Sequence, residues 1–150
     1  MGAVFNTDTK KPWHQTNHCY HIKNRIMKYS IQIDHELKLI RYTHSGSICA
    51  EDIGEAWKEF LSLKEFTDLK YNLLSDYRNG KFEIQPEFVS EIINYMKNIE
   101  MIVKGKKQDL IVNDPHTVAI SMLFEDDVYE KVGFNVQLFT TEKSALRWLL

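Results

Sequence analysis

The sequence predicts a single α/β domain with a mixed five-stranded sheet, an N-terminal antiparallel hairpin and about four helices. The first observation is strand-like alternation at Tyr29, Ile31 and Ile33, followed after a short polar turn by a second apolar stretch at 37–42. So short a link between two strands favours an antiparallel hairpin. The second observation is that the later apolar strands are separated by helical patterns, which favours parallel pairing with right-handed crossovers. The predicted element order is β-β-α-β-α-β-α-β-α.

Four segments carry the three- and four-residue apolar spacing of amphipathic helices. They are expected at about 50–63, from near Pro86, from Pro115, and after Thr140 or Thr141. Asp114 immediately precedes Pro115, which is the pattern of a good N-cap with proline at the first helical position. The expected inner face of this third helix comprises Val118, Ala119, Met122 and Leu123.

Three short apolar stretches between the helices predict the remaining strands. They are 71–76, 110–112 and 136–139. The segment 110–112 is apolar throughout, as is typical of a strand that is buried on both faces. The chain after the third strand is polar and contains Gly80, so we expect residues 76–80 to form a loop.

Bulk properties exclude several classes of function. The formal net charge is −2, whereas a general nucleic-acid binder carries a strong positive excess, so no nucleic-acid partner is expected. No apolar run approaches the roughly 18 residues that a membrane span needs. The two cysteines, Cys19 and Cys49, are too few for a disulfide framework, and a cytoplasmic location is expected.

Residues 1–26 show neither helical nor strand periodicity. We expect them to form a poorly structured N-terminal extension, ahead of a domain that spans 27–150. The extension contains four side chains of metal-ligating types, His14, His18, Cys19 and His21. No second ligand group follows at a zinc-finger spacing, so neither a metal nor another cofactor is expected.

Four short motifs occur in a recognisable order. They are Gly46-Ser47-Ile48-Cys49-Ala50-Glu51-Asp52, Leu73-Leu74-Ser75-Asp76-Tyr77-Arg78, Val112-Asn113-Asp114-Pro115, and Val136-Gln137-Leu138-Phe139 followed by Glu142 to Trp148-Leu149. In order and spacing they resemble the SpoIIAA-like family, which is related to STAS domains, over about residues 28–149. The resemblance implies the mixed five-stranded fold. It also implies a protein partner, because related anti-sigma-factor antagonists bind one.

Those antagonists are switched by phosphorylation of a serine in an Asp-x-Ser-Gly loop. The corresponding residues here are Asp76, Tyr77, Arg78, Asn79 and Gly80, with no serine or threonine among them. The resemblance therefore does not carry the phosphorylation switch over to this chain.

These five residues, together with Asp114, form the candidate surface for binding a partner or ligand. In open α/β sheets, ligands tend to meet the carboxyl ends of parallel strands. Arg78 can hold a carboxylate or phosphate through two parallel hydrogen bonds. The alternative is that Asp76 and Arg78 form only a structural pair that ties the loop.

None of the sequence patterns Gly-x-Ser-x-Gly, Gly-x-x-x-x-Gly-Lys-Ser/Thr and Gly-x-Gly-x-x-Gly occurs, and no enzymatic activity is expected. The leading hypothesis is a non-enzymatic regulatory domain that binds a protein through the loop after the third strand. The rival is a carrier or sensor of a small apolar or amphipathic ligand. Its pocket, between sheet and helices, would be lined by Phe60, Phe88, Met96, Met122 and Phe124. The sequence leaves open the partner's identity and whether the domain forms homo-oligomers.

Overall fold

The computed structural model describes residues 28–150. The elements are β1 (Tyr29–Asp34), β2 (Leu39–Ile48), α1 (Ala50–Ser62), α2 (Lys64–Thr67), β3 (Asn72–Phe82), α3 (Phe88–Asn98), α4 (Glu100–Val103), β4 (Lys107–Ile111), α5 (Pro115–Val132), β5 (Asn135–Phe139) and α6 (Glu142–Leu149). The five strands lie in the order β1-β2-β3-β4-β5, with β1 antiparallel to β2 and the later neighbours parallel. The predicted fold is confirmed, and the two short helices α2 and α4 are additions to it.

The two faces of the sheet are covered unequally. One face forms the main core with α1, α3 and α5, where Trp57, Phe60 and Met96 are buried. The opposite face carries a smaller cluster in which strand residues such as Leu74 pack against Ala145 and Leu149 of α6. Because side chains alternate along a strand, the side chains of neighbouring β3 residues lie on opposite faces of the sheet.

The strands β2 and β3 are longer than predicted, and this corrects the expected loop at 76–80. Residues 76–80 lie within β3, where Asn79 and Gly80 pair with Ser45 and Gly46 of β2. A Cβ added to Gly80 would lie 2.6 Å from Cδ1 of Ile48, so glycine allows the two strands to approach closely. The glycine that predicted a loop therefore belongs to a tightly paired strand.

One detail of the helices also differs from the prediction, whereas two predicted caps are observed. Helix α3 begins at Phe88 and not at Pro86, because Pro86 belongs to a turn whose carbonyl accepts from the Val89 amide at 3.1 Å. Asp114 does cap α5, since its Oδ2 accepts from the Thr117 amide at 3.0 Å. Thr141 caps α6 in the same way through Ser144.

The predicted inner face of α5 is wrong at most of its positions. Ala119, Met122 and Leu123 are exposed, and the helix instead buries Thr117, Ile120, Ser121, Val128 and Val132. The hydroxyl of Thr117 accepts from the Phe82 amide at 3.0 Å and donates to Asp114 at 3.0 Å. These bonds anchor the polar Thr117 against β3, which fixes the rotation of the helix.

None of the helices within residues 28–150 is long and apolar enough to cross a membrane.

Candidate functional site

A β-bulge in β3 positions the candidate residues. The register pairs on either side of it are Thr43 with Asp76 and Ser45 with Asn79. Between these pairs β2 has one residue, His44, whereas β3 has two, Tyr77 and Arg78. Such bulges are rare between parallel strands, and bulges often lie beside functional sites, where they redirect a side chain. Here Tyr77 is buried in the main core, and the Arg78 side chain lies on the opposite face, 38% exposed.

Arg78 is held by the carboxylate of Asp76, two residues earlier in the same strand. Its Nε donates to Oδ1 at 2.9 Å and its Nη2 donates to Oδ2 at 2.6 Å. The backbone amide of Arg78 also donates to Oδ1, at 3.0 Å. The hydrogen bonds from Arg78 hold the pKa of Asp76 below its usual range. The structural pair that was the alternative to ligand binding is thus present, and it leaves the guanidinium exposed.

The first residue of α6, Glu142, extends this pair into a row of alternating charges. Its Oε1 accepts from Nη1 of Arg41 at 2.8 Å, and its Oε2 lies 3.9 Å from Nη2 of Arg78. Arg41 also donates through Nε to Asp34 at 3.3 Å. Partly exposed ion pairs contribute at most about 1 kcal/mol each, so the row mainly orients the side chains.

Beneath α6 lies a buried carboxyl group, Asp109, that the sequence analysis missed. Its Oδ1 accepts from the Ser75 amide at 2.5 Å, and its Oδ2 has no hydrogen-bond partner among the described residues. Burial raises its pKa to about 7, and the charges of Asp76 and Glu142 add to the effect. The only sequence signal for this group was an acidic residue next to an apolar strand, which also fits a surface turn.

The remaining candidate residues are distributed along the end of β3. Asn79 is exposed beside Arg78, whereas Gly80 is buried against β2. Asp114 contacts Lys81, with 4.0 Å between its Oδ1 and Nζ, and its pKa is lowered by the hydrogen bond from the Thr117 amide. The solvent-accessible part of the candidate set near the bulge therefore consists of the half-buried Asp76 and the exposed Arg78 and Asn79, which we call the bulge surface.

A cavity of about 40 Å³ lies beneath the bulge, between the sheet and helices α1, α3 and α5. Pockets for drug-sized ligands have volumes of roughly 300–1,000 Å³, so this cavity does not accommodate a lipid. The predicted lining is corrected at most positions. Phe124 lines the cavity, whereas Phe60, Phe88 and Met96 are packed in the core outside its lining, and Met122 is 53% exposed.

Within residues 28–150, no group of three or more His, Cys, Asp or Glu side chains is arranged to hold a metal ion. The four side chains of metal-ligating types at the N-terminus lie outside the described residues.

The chain is similar in structure to an uncharacterized protein of the DUF3478 family from Shewanella loihica PV-4, whose crystal structure has a SpoIIAA-like fold. The two share 11% sequence identity with a TM-score of 0.56, and the match covers 86% of this chain and 99% of that one. At this identity the likeness establishes the fold, and the fold of this chain is SpoIIAA-like. No protein-family model and no curated protein sequence matches the chain.

Proposed function

We propose that this SpoIIAA-like domain is a non-enzymatic regulatory module that binds a protein partner through the bulge surface. The observation that carries the proposal is that Arg78 is fixed by two bonds to Asp76 and yet remains exposed. Arginine is enriched among the residues that dominate protein interfaces. Ordering a long side chain costs free energy on binding, and the pair with Asp76 reduces that cost in advance.

The edge of Arg78 formed by Nη1 and Nη2 indicates which group the partner presents. Among the described residues, its one neighbouring carboxylate besides Asp76, that of Glu142, lies 3.9 Å from Nη2, beyond hydrogen-bonding distance. A guanidinium has five N–H donors, and Asp76 takes one from Nε and one from Nη2. Within the described part of the chain, Nη1 makes no hydrogen bond. The edge formed by Nη1 and Nη2 can therefore donate two parallel hydrogen bonds to a carboxylate. A partner with an exposed Asp or Glu side chain matches this edge.

The test compares capture of cellular proteins by the 150-residue chain and three variants. Arg78→Ala removes the guanidinium, Arg78→Lys keeps the charge without the planar fork, and Arg147→Ala is the matched control. Arg147 is exposed on α6, which makes it a surface arginine outside the bulge surface. Proteins retained by the wild type and by Arg147→Ala are identified by mass spectrometry, purified, and used to measure Kd.

The proposal predicts a partner whose affinity falls at least about tenfold with Arg78→Ala. Because a lysine cannot bind a carboxylate with a planar fork, Arg78→Lys should restore only part of that affinity. All three variants should melt within a few degrees of the wild type, since exposed ion pairs contribute little to stability. Equal affinity of a purified partner for the wild type and for a folded Arg78→Ala variant would refute the proposal.

A further inference from the structure

The outward side of α5 carries exposed apolar side chains. Met122 is 53% exposed, Leu123 is 44% exposed, and Ala119 is exposed about one turn before them. Because residues three and four apart share a face of a helix, these three side chains form one patch. Apolar side chains scattered singly on a surface need no partner, whereas a contiguous group is a candidate for contact with a protein.

Charge is distributed unevenly along this helix. From Pro115 to Phe124 it contains no acidic residue, whereas the rest of the helix has four acidic residues and one lysine. His116 is exposed in the first turn, and Lys81 lies beside the cap, with its Nζ 4.0 Å from Oδ1 of Asp114. The helix macrodipole adds to this asymmetry, since it is positive at the N-terminus and negative at the C-terminus. The beginning of α5 therefore complements the end of a second α5 that runs antiparallel to it.

We propose that two copies of this chain form a two-fold dimer in which their α5 helices pack antiparallel. Centring the contact at the level of Ser121 sets Ala119 of one copy opposite Leu123 of the other, about 3 Å along the helix from the centre. The same register sets His116 opposite Asp126. Because a two-fold contact uses one surface twice, each of these pairs occurs twice. This single arrangement covers the apolar patch and places a histidine against a carboxylate.

The dimer goes beyond binding at the bulge surface and does not depend on it. Helix α5 packs on the face of the sheet that forms the main core, whereas the Arg78 side chain lies on the opposite face. Each copy thus keeps its bulge surface free, and Arg78→Ala leaves the dimer intact, so the two proposals fail independently. A contact of one helix per copy buries less than the roughly 800 Å² per partner of a standard interface, so the dimer is weak and depends on concentration.

The test is analytical ultracentrifugation of the 150-residue chain alone, at concentrations up to about 0.5 mM. Leu123→Asp places a charge within the apolar patch. Leu69→Asp is the matched control, because Leu69 is also about half exposed, at 53%, but lies in the turn after α2. A second set consists of His116→Glu, Asp126→Lys and the double variant that carries both changes. A melting curve of each variant shows that it is folded before it is measured.

We expect the wild type and Leu69→Asp to form dimers with the same Kd, and Leu123→Asp to weaken association at least about tenfold. Each single charge variant should weaken association several-fold, and the double variant should recover most of the loss, because the exchange restores opposite charges at these two positions.

A chain that remains monomeric throughout this concentration range would overturn the proposal. A dimer that Leu123→Asp leaves intact would place the contact elsewhere and overturn it too. Additive losses in the double charge variant would contradict the antiparallel register. A monomeric chain that captures a different protein through Leu123 would assign this side of α5 to that protein, which also overturns the dimer.

Discussion

Arg78 follows Asp76 by two residues on the same side of β3, and its guanidinium donates two hydrogen bonds to the Asp76 carboxylate, at 2.9 and 2.6 Å. In a regular strand, residues two apart share a face but extend away from the sheet in parallel. The bulge between them bends β3 locally and so brings the two side chains together. This relationship holds the arginine in one orientation at the surface.

Asp76→Asn should weaken partner binding without unfolding the domain. The amide keeps the size of the side chain but loses the charge that fixes Arg78, so ordering the arginine would cost free energy on binding. We expect several-fold weaker affinity and a change of less than about 1 kcal/mol in the free energy of unfolding. Calorimetric titration of the purified partner and urea denaturation measure the two quantities. An affinity equal to the wild type's would show that the pair does not prepare Arg78 for binding.

Gly80→Ala should destabilise the domain, because the added Cβ would lie 2.6 Å from Cδ1 of Ile48. Overpacking of this kind typically costs about 1–3 kcal/mol. Ile48→Val removes that Cδ1 atom, so the double variant Gly80→Ala/Ile48→Val should recover part of the lost stability. Urea denaturation of the four proteins gives the coupling between the two sites. Strictly additive effects would show that the strands do not approach as closely as described.

The sequence predicted the elements that depend on local patterns and missed those that depend on contacts between distant segments. Strand β1, the start of β2, α1 and the capping of α5 depend on local patterns, and each was predicted within one or two residues. The long pairing of β2 with β3 depends on hydrogen bonds between segments about 34 residues apart. The polar residues and Gly80 at the end of β3 are also typical of a loop. No local pattern therefore distinguishes a strand from a loop at residues 76–80.

The rotation of α5 was mispredicted for a related reason. Met122 and Leu123 are apolar and fit a helical spacing, yet they are exposed. Thr117 is polar, but its hydrogen bonds with Phe82 and Asp114 anchor it in the interior. Apolar spacing alone does not reveal a buried threonine that satisfies a strand amide. Of the candidate site, the Asp76–Arg78 pair was anticipated, whereas the bulge and Asp109 were not.

Thr117→Val should therefore destabilise the domain by about 1–3 kcal/mol. Valine has nearly the same shape, but it leaves the buried Phe82 amide without its acceptor. Thr117→Ser keeps the hydroxyl and serves as the control, with a smaller loss. Denaturation by urea measures both. If the valine variant is as stable as the serine variant, the hydroxyl does not anchor α5.

Asp109 should give the domain a stability that falls as pH rises from about 4 to 7. The pKa of Asp109 is about 7 in the folded protein, against 3.8 for an ordinary aspartate, so the folded state holds a proton that the unfolded state has released. Stability from the protonated group is complete below pH 4 and is lost as pH passes through 7, by up to roughly 4 kcal/mol. Asp109→Asn cannot ionise and should lack this dependence.

The measurement is the free energy of unfolding of the wild type and Asp109→Asn at several pH values. Groups other than Asp109 contribute equally to both proteins, so the difference between the two curves reports on Asp109. The difference should favour the variant increasingly up to about pH 7 and then level off. A constant difference across this range would mean that the pKa of Asp109 is not raised.

The most direct test of binding at the bulge surface is site-specific photocrosslinking. A photoreactive benzoylphenylalanine is placed at Asn79, which is exposed beside Arg78, and in a second protein at Lys143, which is exposed on α6. The proposal predicts a crosslink from position 79 to the protein partner that disappears when Arg78→Ala is added, and a much weaker one from position 143. Equal crosslinking from both positions, or a crosslink at 79 that persists without Arg78, would contradict it.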